Sequence, residues 1–284
     1  MNTPLVLNPQ RIRAGFQRLK SHSDHYIAVS EVLGESLVLR LAALNLQPEI
    51  IVDLGAGAGI FTEILAQQYP QSKVIAVDYA LSQVQKLDEA KESTVCARAE
   101  LLPFADASID VIFCHLMLHW CTHPEAVIHE IQRVLKPNGV LLFSVLAPDS
   151  LTELRQSFLT LSDKPYIPLF TDMHNWGDLL QQAQFKNPVV DVDYFSLYYK
   201  NFTRLMLELR QSPTYFLQGM NKGLITPRQW QRLEKAYESY RDEYGLTLTL
   251  EVVYGVAFAR DTKQAGLCTQ EASIPLQSVQ RKRR

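Results

Sequence analysis

Val52-Asp53-Leu54-Gly55-Ala56-Gly57-Ala58-Gly59 decides the reading of this chain. The run ends an aliphatic segment, 50–54, and opens a helical pattern near 59–68, so it forms a strand-to-helix turn. Glycine is needed there because a side chain would hinder the tight reversal and block close approach of a ligand to the backbone. A lone Gly-x-Gly-x-Gly run is weak evidence of a nucleotide site. Here Asp53 stands two residues before Gly55, and Asp78 ends a second strand, Val74-Ile75-Ala76-Val77-Asp78. An acid at the tip of strand two can accept hydrogen bonds from both ribose hydroxyls, a demand shared by nicotinamide and S-adenosylmethionine cofactors.

Two features choose between those cofactors. Glycines at 55, 57 and 59 depart from the Gly-x-Gly-x-x-Gly spacing of a dinucleotide fold. Asp53 can organise the loop and, directly or through water, meet the cationic amino end of a methionine moiety, whereas a pyrophosphate would gain nothing from it. The expected cofactor is S-adenosyl-L-methionine, and the candidate binding residues in this region are Asp53, Gly55, Ala56, Gly57, Gly59, Asp78 and Tyr79. Asp110, ahead of an apolar strand, reads as a cap or sheet-edge residue.

Outward from the motif, short aliphatic runs alternate with longer helical patterns, the signature of a parallel sheet covered by helices on both faces. Strands are predicted at 50–54, 73–77, 94–96, 109–114 and 139–146, with helices near 59–68, 81–91 and 124–135. The last helix starts at Pro124 and stops before Lys136-Pro137-Asn138-Gly139. Helical spacing over 26–44 predicts an element over the mouth of the sheet. Beyond Leu146, helices are expected at 150–161 and 173–183, a strand at 189–199, a mostly helical stretch at 202–244 and a last strand at 246–259. The fold class is therefore α/β, a Rossmann-like sheet, mostly parallel with an antiparallel final strand, helices on both faces and a helical insert before the last strand. Residues 1–48 form a helical lid, 49–200 the cofactor-binding core, 201–245 the insert, 246–261 the final strand and 262–284 a disordered basic tail.

Composition narrows the partners. The 284 residues are 47% hydrophobic and carry a net charge of -2, which supplies a core but no global field toward nucleic acid or an anionic membrane. No apolar run approaches the ~20 residues of a membrane span, and no targeting pattern marks the first residues, so the expected location is a reducing cytoplasm. Cys96, Cys114, Cys121 and Cys268 are scattered without zinc-like spacing, and no metal site is expected.

Further motifs add a resemblance. Ala99-Glu100-Leu101-Leu102-Pro103-Phe104, with the segment through Val111, resembles the stretch of class I methyltransferases that borders the adenine. Those enzymes commonly carry Asp before the Ala-Glu pair; Arg98 stands here, so the adenine contact falls to the backbone of Ala99 or to Glu100. Leu101 and His115 complete the cofactor set. From about Arg11 to Arg260 the chain resembles the malonyl-(acyl-carrier protein) O-methyltransferases of biotin synthesis. The pieces that carry this are His115-Leu116-Met117-Leu118-His119-Trp120-Cys121, Asp149-Ser150-Leu151-Thr152-Glu153-Leu154, Phe170-Thr171-Asp172-Met173-His174-Asn175-Trp176-Gly177-Asp178 and Glu251-Val252-Val253-Tyr254-Gly255-Val256-Ala257.

The resemblance implies an activity: methyl transfer to the free carboxylate of a malonyl thioester on an acyl-carrier protein, giving the ester that primes biotin-precursor synthesis. A carboxylate is already ionised at neutral pH, so the site must hold an oxygen in line with the methyl group rather than remove a proton. Candidate donors for orienting it are His119, Tyr198 or Tyr199, and Arg210. The family commonly closes its N-terminal helix with a Tyr-Asp pair, where this chain has Ser23-Asp24; either Tyr26 supplies that hydroxyl or the contact is missing. An acidic carrier protein implies a basic patch, for which Arg204, Lys222, Arg228 and Arg232 are candidates.

Two other functions compete. One is methylation of another small carboxylic acid or a quinone-like metabolite. The other follows from a likeness, through Leu118-His119-Trp120 and Thr152-Glu153-Leu154-Arg155, to the methyltransferase-fold assembly factor of respiratory complex I, which acts in assembly and arginine modification.

Overall fold

A computed structural model describes residues 9–18, 24–89, 93–161, 166–211 and 226–260. The strands are β1 (Ile50–Leu54), β2 (Lys73–Asp78), β3 (Ser93–Cys96), β4 (Ile109–His115), β5 (Leu135–Leu146), β6 (Lys186–Tyr199) and β7 (Leu246–Phe258). They form one seven-stranded sheet in the order β3-β2-β1-β4-β5-β7-β6. β1 to β5 pair in parallel, and β7 lies antiparallel between β5 and β6. The α/β class, the mostly parallel sheet and the antiparallel last strand agree with the sequence reading.

Alternation along each central strand divides the apolar residues between two cores, as a period of two demands. Ile51, Phe113, Leu142 and Val252 face one core, and Val52, Ile112, Phe143 and Val253 the other. The first core is covered by α2 (Asp24–Ala43), α3 (Ile60–Gln68), α6 (Thr152–Leu159), α8 (Phe202–Gln211) and α9 (Pro227–Tyr237). The second is covered by α5 (Pro124–Val134) and α7 (Met173–Gln182). Because both faces are covered, β4 and β5 read as nearly unbroken apolar runs. The remaining helices, α1 (Pro9–Arg18) and α4 (Leu81–Glu89), pack against each other beside β2 and β3.

The predicted helix over 26–44 is α2, whose Leu33, Leu37 and Leu41 are buried four residues apart on one face. Two contacts fix it to the far side of the sheet. Tyr254 Oη donates to the Leu33 carbonyl at 2.6 Å, and the Arg40 guanidinium lies 4.5 Å over the Tyr254 ring while pairing with Asp191 at 2.8 Å. Gly34 permits the close approach of α2 to α3, since a Cβ there would stand 2.0 Å from Phe61 Cζ. Gly255 serves β7 in the same way, leaving room for the Phe143 ring that a Cβ would meet at 2.1 Å.

The predicted helix does stop before Lys136, but the strand expected at 139–146 begins earlier, at Leu135, because pairing with β4 jumps from Ile109↔Leu135 to Val111↔Val140 and leaves a bulge on the β5 side. Asn138 takes a positive φ of 60° within it. Asp110 ties the bulge down, accepting from the backbone of Glu49 at 3.2 Å and of Ile50 at 2.9 Å while pairing with Lys136 at 2.9 Å. The helical insert resolves into α8 and α9, the latter opened by a capping box of Thr226 and Gln229. Among the described residues, no helix is long and apolar enough to cross a membrane and no cluster could hold a metal ion. The predicted tail 262–284, Ser23 and Lys222 lie outside the described residues.

Candidate cofactor and active site

The carboxyl ends of β1, β2 and β4 open into a cavity of about 570 Å³. In an open sheet of this kind the crevice beyond the strand ends is where ligands bind. The β1 turn supplies Asp53, Gly55, Ala56 and Gly57; β2 supplies Asp78 and Tyr79; the segment after β3 supplies Arg98, Ala99 and Glu100; and β4 supplies His115. Nine of the eleven predicted cofactor residues are therefore brought together on one wall, with Arg98 beside them. Gly59 and Leu101 are not on it. Gly59 is spent on the turn, in left-handed conformation with its N–H donated to Ala56, and Leu101 turns 75% exposed to solvent where the chain reverses against Arg98.

Backbone geometry explains the glycines. Gly55 has φ +83° and its missing Cβ would lie 2.4 Å from Met117 Cγ, so no other residue fits between the turn and the segment after β4. Asp53 is 2% exposed, and its carboxylate accepts the Thr62 hydroxyl at 2.6 Å, anchoring the first turn of α3. Asp78 accepts the N–H of Gly57 at 3.0 Å and that of Ala80 at 2.7 Å. Burial raises the Asp78 carboxyl above its ordinary range, against the pull of those backbone donors. A carboxylate has about four lone-pair positions, so Asp78 keeps capacity for a hydroxyl donor beside its backbone partners. Turn, acid and cavity fit an S-adenosylmethionine cofactor.

His115 Nδ1 lies 2.7 Å from Ser144 Oγ, which also accepts the Leu116 N–H at 3.2 Å. Burial pushes this imidazole down to about 3, so it stays neutral at physiological pH. The Cys121 thiol, also on the wall, is pushed up to about 12 by burial and stays protonated. His115 and Cys121 therefore supply neutral surface rather than a strong base.

Of the four expected catalytic residues, the three whose side chains are described, His119, Tyr199 and Arg210, do not converge. His119 is 7% exposed and sits behind the wall, its ring 4.9 Å from that of Trp120 and 5.5 Å from that of Phe170. Its Nδ1 accepts the Leu146 N–H at 3.4 Å, and burial pushes it down to about 3. Tyr199 is buried at the end of β6, where burial and the Glu208 carboxylate raise its phenol. Arg210 is exposed on α8, 5.8 Å over the Trp230 ring. Tyr26 falls in the first turn of α2, and its side chain lies outside the described set. Tyr198 is 45% exposed and meets the Tyr244 ring at 5.3 Å. Of the basic patch, Arg204 pairs with Glu208, Arg232 donates to the Thr160 carbonyl at 2.8 Å, and Arg228 is exposed.

Sequence reasoning missed other wall residues: Gln10, Arg13 and Phe16 of α1, Ser30 of α2, Phe61, and Met117 with Trp120. Only tertiary packing brings these distant segments to the strand ends. For Met117 and Trp120 the available signal is the motif His115–Cys121 that carries the family resemblance.

A mostly parallel sheet with this glycine turn, an acid ending β2 and a cavity across both defines a Rossmann-like methyltransferase that uses S-adenosylmethionine as methyl donor. Residues 52–143 match the family of the methyltransferase domain, Methyltransf_11. A malonyl-[acyl-carrier protein] O-methyltransferase of Gallionella capsiferriformans (strain ES-2) is 33% identical over 89% of this chain and 91% of its own length. Another of the same name, from Methylovorus sp. (strain MP688), is 34% identical over 92% of each chain. The chain belongs to the malonyl-[acyl-carrier protein] O-methyltransferase family. Solved structures show the same fold at low identity. A putative methyltransferase from Bacillus halodurans aligns with TM-score 0.57 and 17% identity over 80% of this chain and 100% of that one. A methyltransferase from Thermotoga maritima aligns with TM-score 0.54 and 16% identity over 88% and 100%.

Proposed function

We propose that this chain transfers the methyl group of S-adenosylmethionine to the free carboxylate of a malonyl group carried as a thioester on acyl-carrier protein. The observation that carries this reading is the similarity, over about nine tenths of both chains, to relatives of that name. A bond forms between a carboxylate oxygen and the methyl carbon as the carbon–sulfur bond breaks, its electron pair going to sulfur. The products are a methyl ester and adenosylhomocysteine, and no proton is released. The chemistry matches a wall with a neutral imidazole and no thiolate, since the acceptor arrives ionised and an over-strong cation would quench it.

In this reading Asp78 and Tyr79 hold the ribose and adenine side, Asp53 and the glycine turn hold the methionine side, and Ala99, Glu100 and His115 complete the contact. The insert receives the acceptor, with Arg228 and Arg232 on α9 meeting the acidic carrier and Arg210, Tyr26 or Tyr199 nearest the malonyl group as it enters. Such charge complementarity would act mainly on association rate and orientation. The ester then serves biotin-precursor synthesis in the cytoplasm.

Labelled S-adenosylmethionine offered with malonyl-carrier protein, malonyl-coenzyme A or free malonate tests the reading. Label in a base-labile ester on the carrier supports it. No transfer to any of the three, from protein that binds the cofactor, overturns it and brings forward a role in assembly or protein modification.

A further inference from the structure

One side of the cavity is closed by α1, through Gln10, Arg13 and Phe16. A helix of ten residues is marginal alone in water, so α1 depends on what it docks against. Three contacts among the described residues tie it down. The Phe16 side chain packs against the first core. The Phe16 carbonyl, in the last turn where helical carbonyls lack an internal partner, accepts the side-chain amide of fully buried Gln83 at 3.0 Å. The Arg13 guanidinium lies 4.4 Å over the ring of Tyr79.

Tyr79 directly follows Asp78, the acid placed for the ribose, and both face the same cavity. A stacked guanidinium keeps its in-plane N–H groups available for a ligand, which an ammonium cannot match with the same geometry. We infer that Arg13 is a further cofactor-binding residue: stacked on Tyr79, it holds α1 shut over the adenosine side, and the spent nucleoside leaves only when this stack opens. The inference rests on the cofactor and is independent of which acceptor is methylated.

The test uses the full chain and adenosylhomocysteine as the probe. In stopped-flow displacement, Arg13→Ala should release the probe up to about tenfold faster, the size expected for a half-exposed cation–π contact, with Arg13→Lys between it and the parent. Hydrogen exchange of the α1 amides should slow when the probe binds the parent protein and respond much less in Arg13→Ala. Thermal melting of the ligand-free variants should match the parent, separating this role from a merely structural one. An unchanged release rate in Arg13→Ala, or α1 amides in the parent that ignore the probe, would overturn the inference. A parent that fails to bind adenosylhomocysteine would overturn the cofactor assignment itself, and this inference with it.

Discussion

The carboxylate of Asp78 accepts the backbone N–H of Gly57 at 3.0 Å, so the acid ending β2 is tied to the glycine turn that leaves β1. The two halves of the proposed cofactor site are thus one hydrogen-bonded unit. Asp78→Ala should remove the ribose acceptor and loosen the turn together, lowering adenosylhomocysteine affinity by at least a hundredfold, or about 2.7 kcal/mol. Isothermal titration calorimetry checks this; an affinity within threefold of the parent would contradict it.

Asp110 gives the opposite expectation. It accepts two backbone N–H groups at the start of β1 and pairs with Lys136, away from the cavity wall. Asp110→Ala should cost about 1–3 kcal/mol of stability by leaving those donors unsatisfied. Urea unfolding measures the loss, and adenosylhomocysteine affinity should stay unchanged.

Gly34 couples α2 to the cavity. An added methyl would collide with the Phe61 ring, and Phe61 lines the cavity. Gly34→Ala should therefore push that ring, costing about 1–3 kcal/mol as overpacking does, and weaken cofactor binding as well. Normal binding with normal stability would show that α2 shifts freely instead.

His115 and His119 set a pH dependence. Burial pushes each down to about 3 in the fold, against about 6.5 in an unfolded chain. Between those values the unfolded chain binds protons that the folded chain refuses. Their contribution is complete above about pH 6.5 and is lost as pH falls toward 3, by up to about 1.4 kcal/mol per pH unit for each ring. Urea midpoints at pH 7 and pH 5 should differ in that direction, and His119→Gln should shrink the difference. Equal shrinkage from an exposed histidine such as His174 replaced by Gln would sink the explanation.

The neutrality of both rings also bears on rate. Neither histidine should impose a limb near pH 6.5 on the pH profile of kcat/KM for malonyl-carrier protein. A bell with an inflection there, abolished by His115→Gln, would instead make His115 a titrating participant.

Local sequence determined the sheet and the cofactor turn because their signals are local. Aliphatic runs alternate with helical ones, glycines sit where the backbone must take positive φ or approach closely, and an acid ends the second strand. The early start of β5 was not legible, because Pro137 reads locally as a break whereas Asp110 and Lys136, 26 residues apart, decide the path. The motif around Tyr254 and Gly255 identified the family, yet its visible work is structural: it anchors α2 through Leu33 and makes room for Phe143.

What only the tertiary structure decided is which polar side chains share the cavity. His115 and His119 are four residues apart in sequence, yet one lines the wall and the other lies behind Trp120, because the 3₁₀ turn at Leu118–Trp120 rotates them to different sides. Arg13 carries no local mark at all. It reaches Tyr79, 66 positions along the chain, only because Gln83 and the core hold α1 against α4. Spacing along a strand or helix fixes the direction of a side chain relative to its own backbone, whereas a binding site is set by where separate elements come to rest against one another.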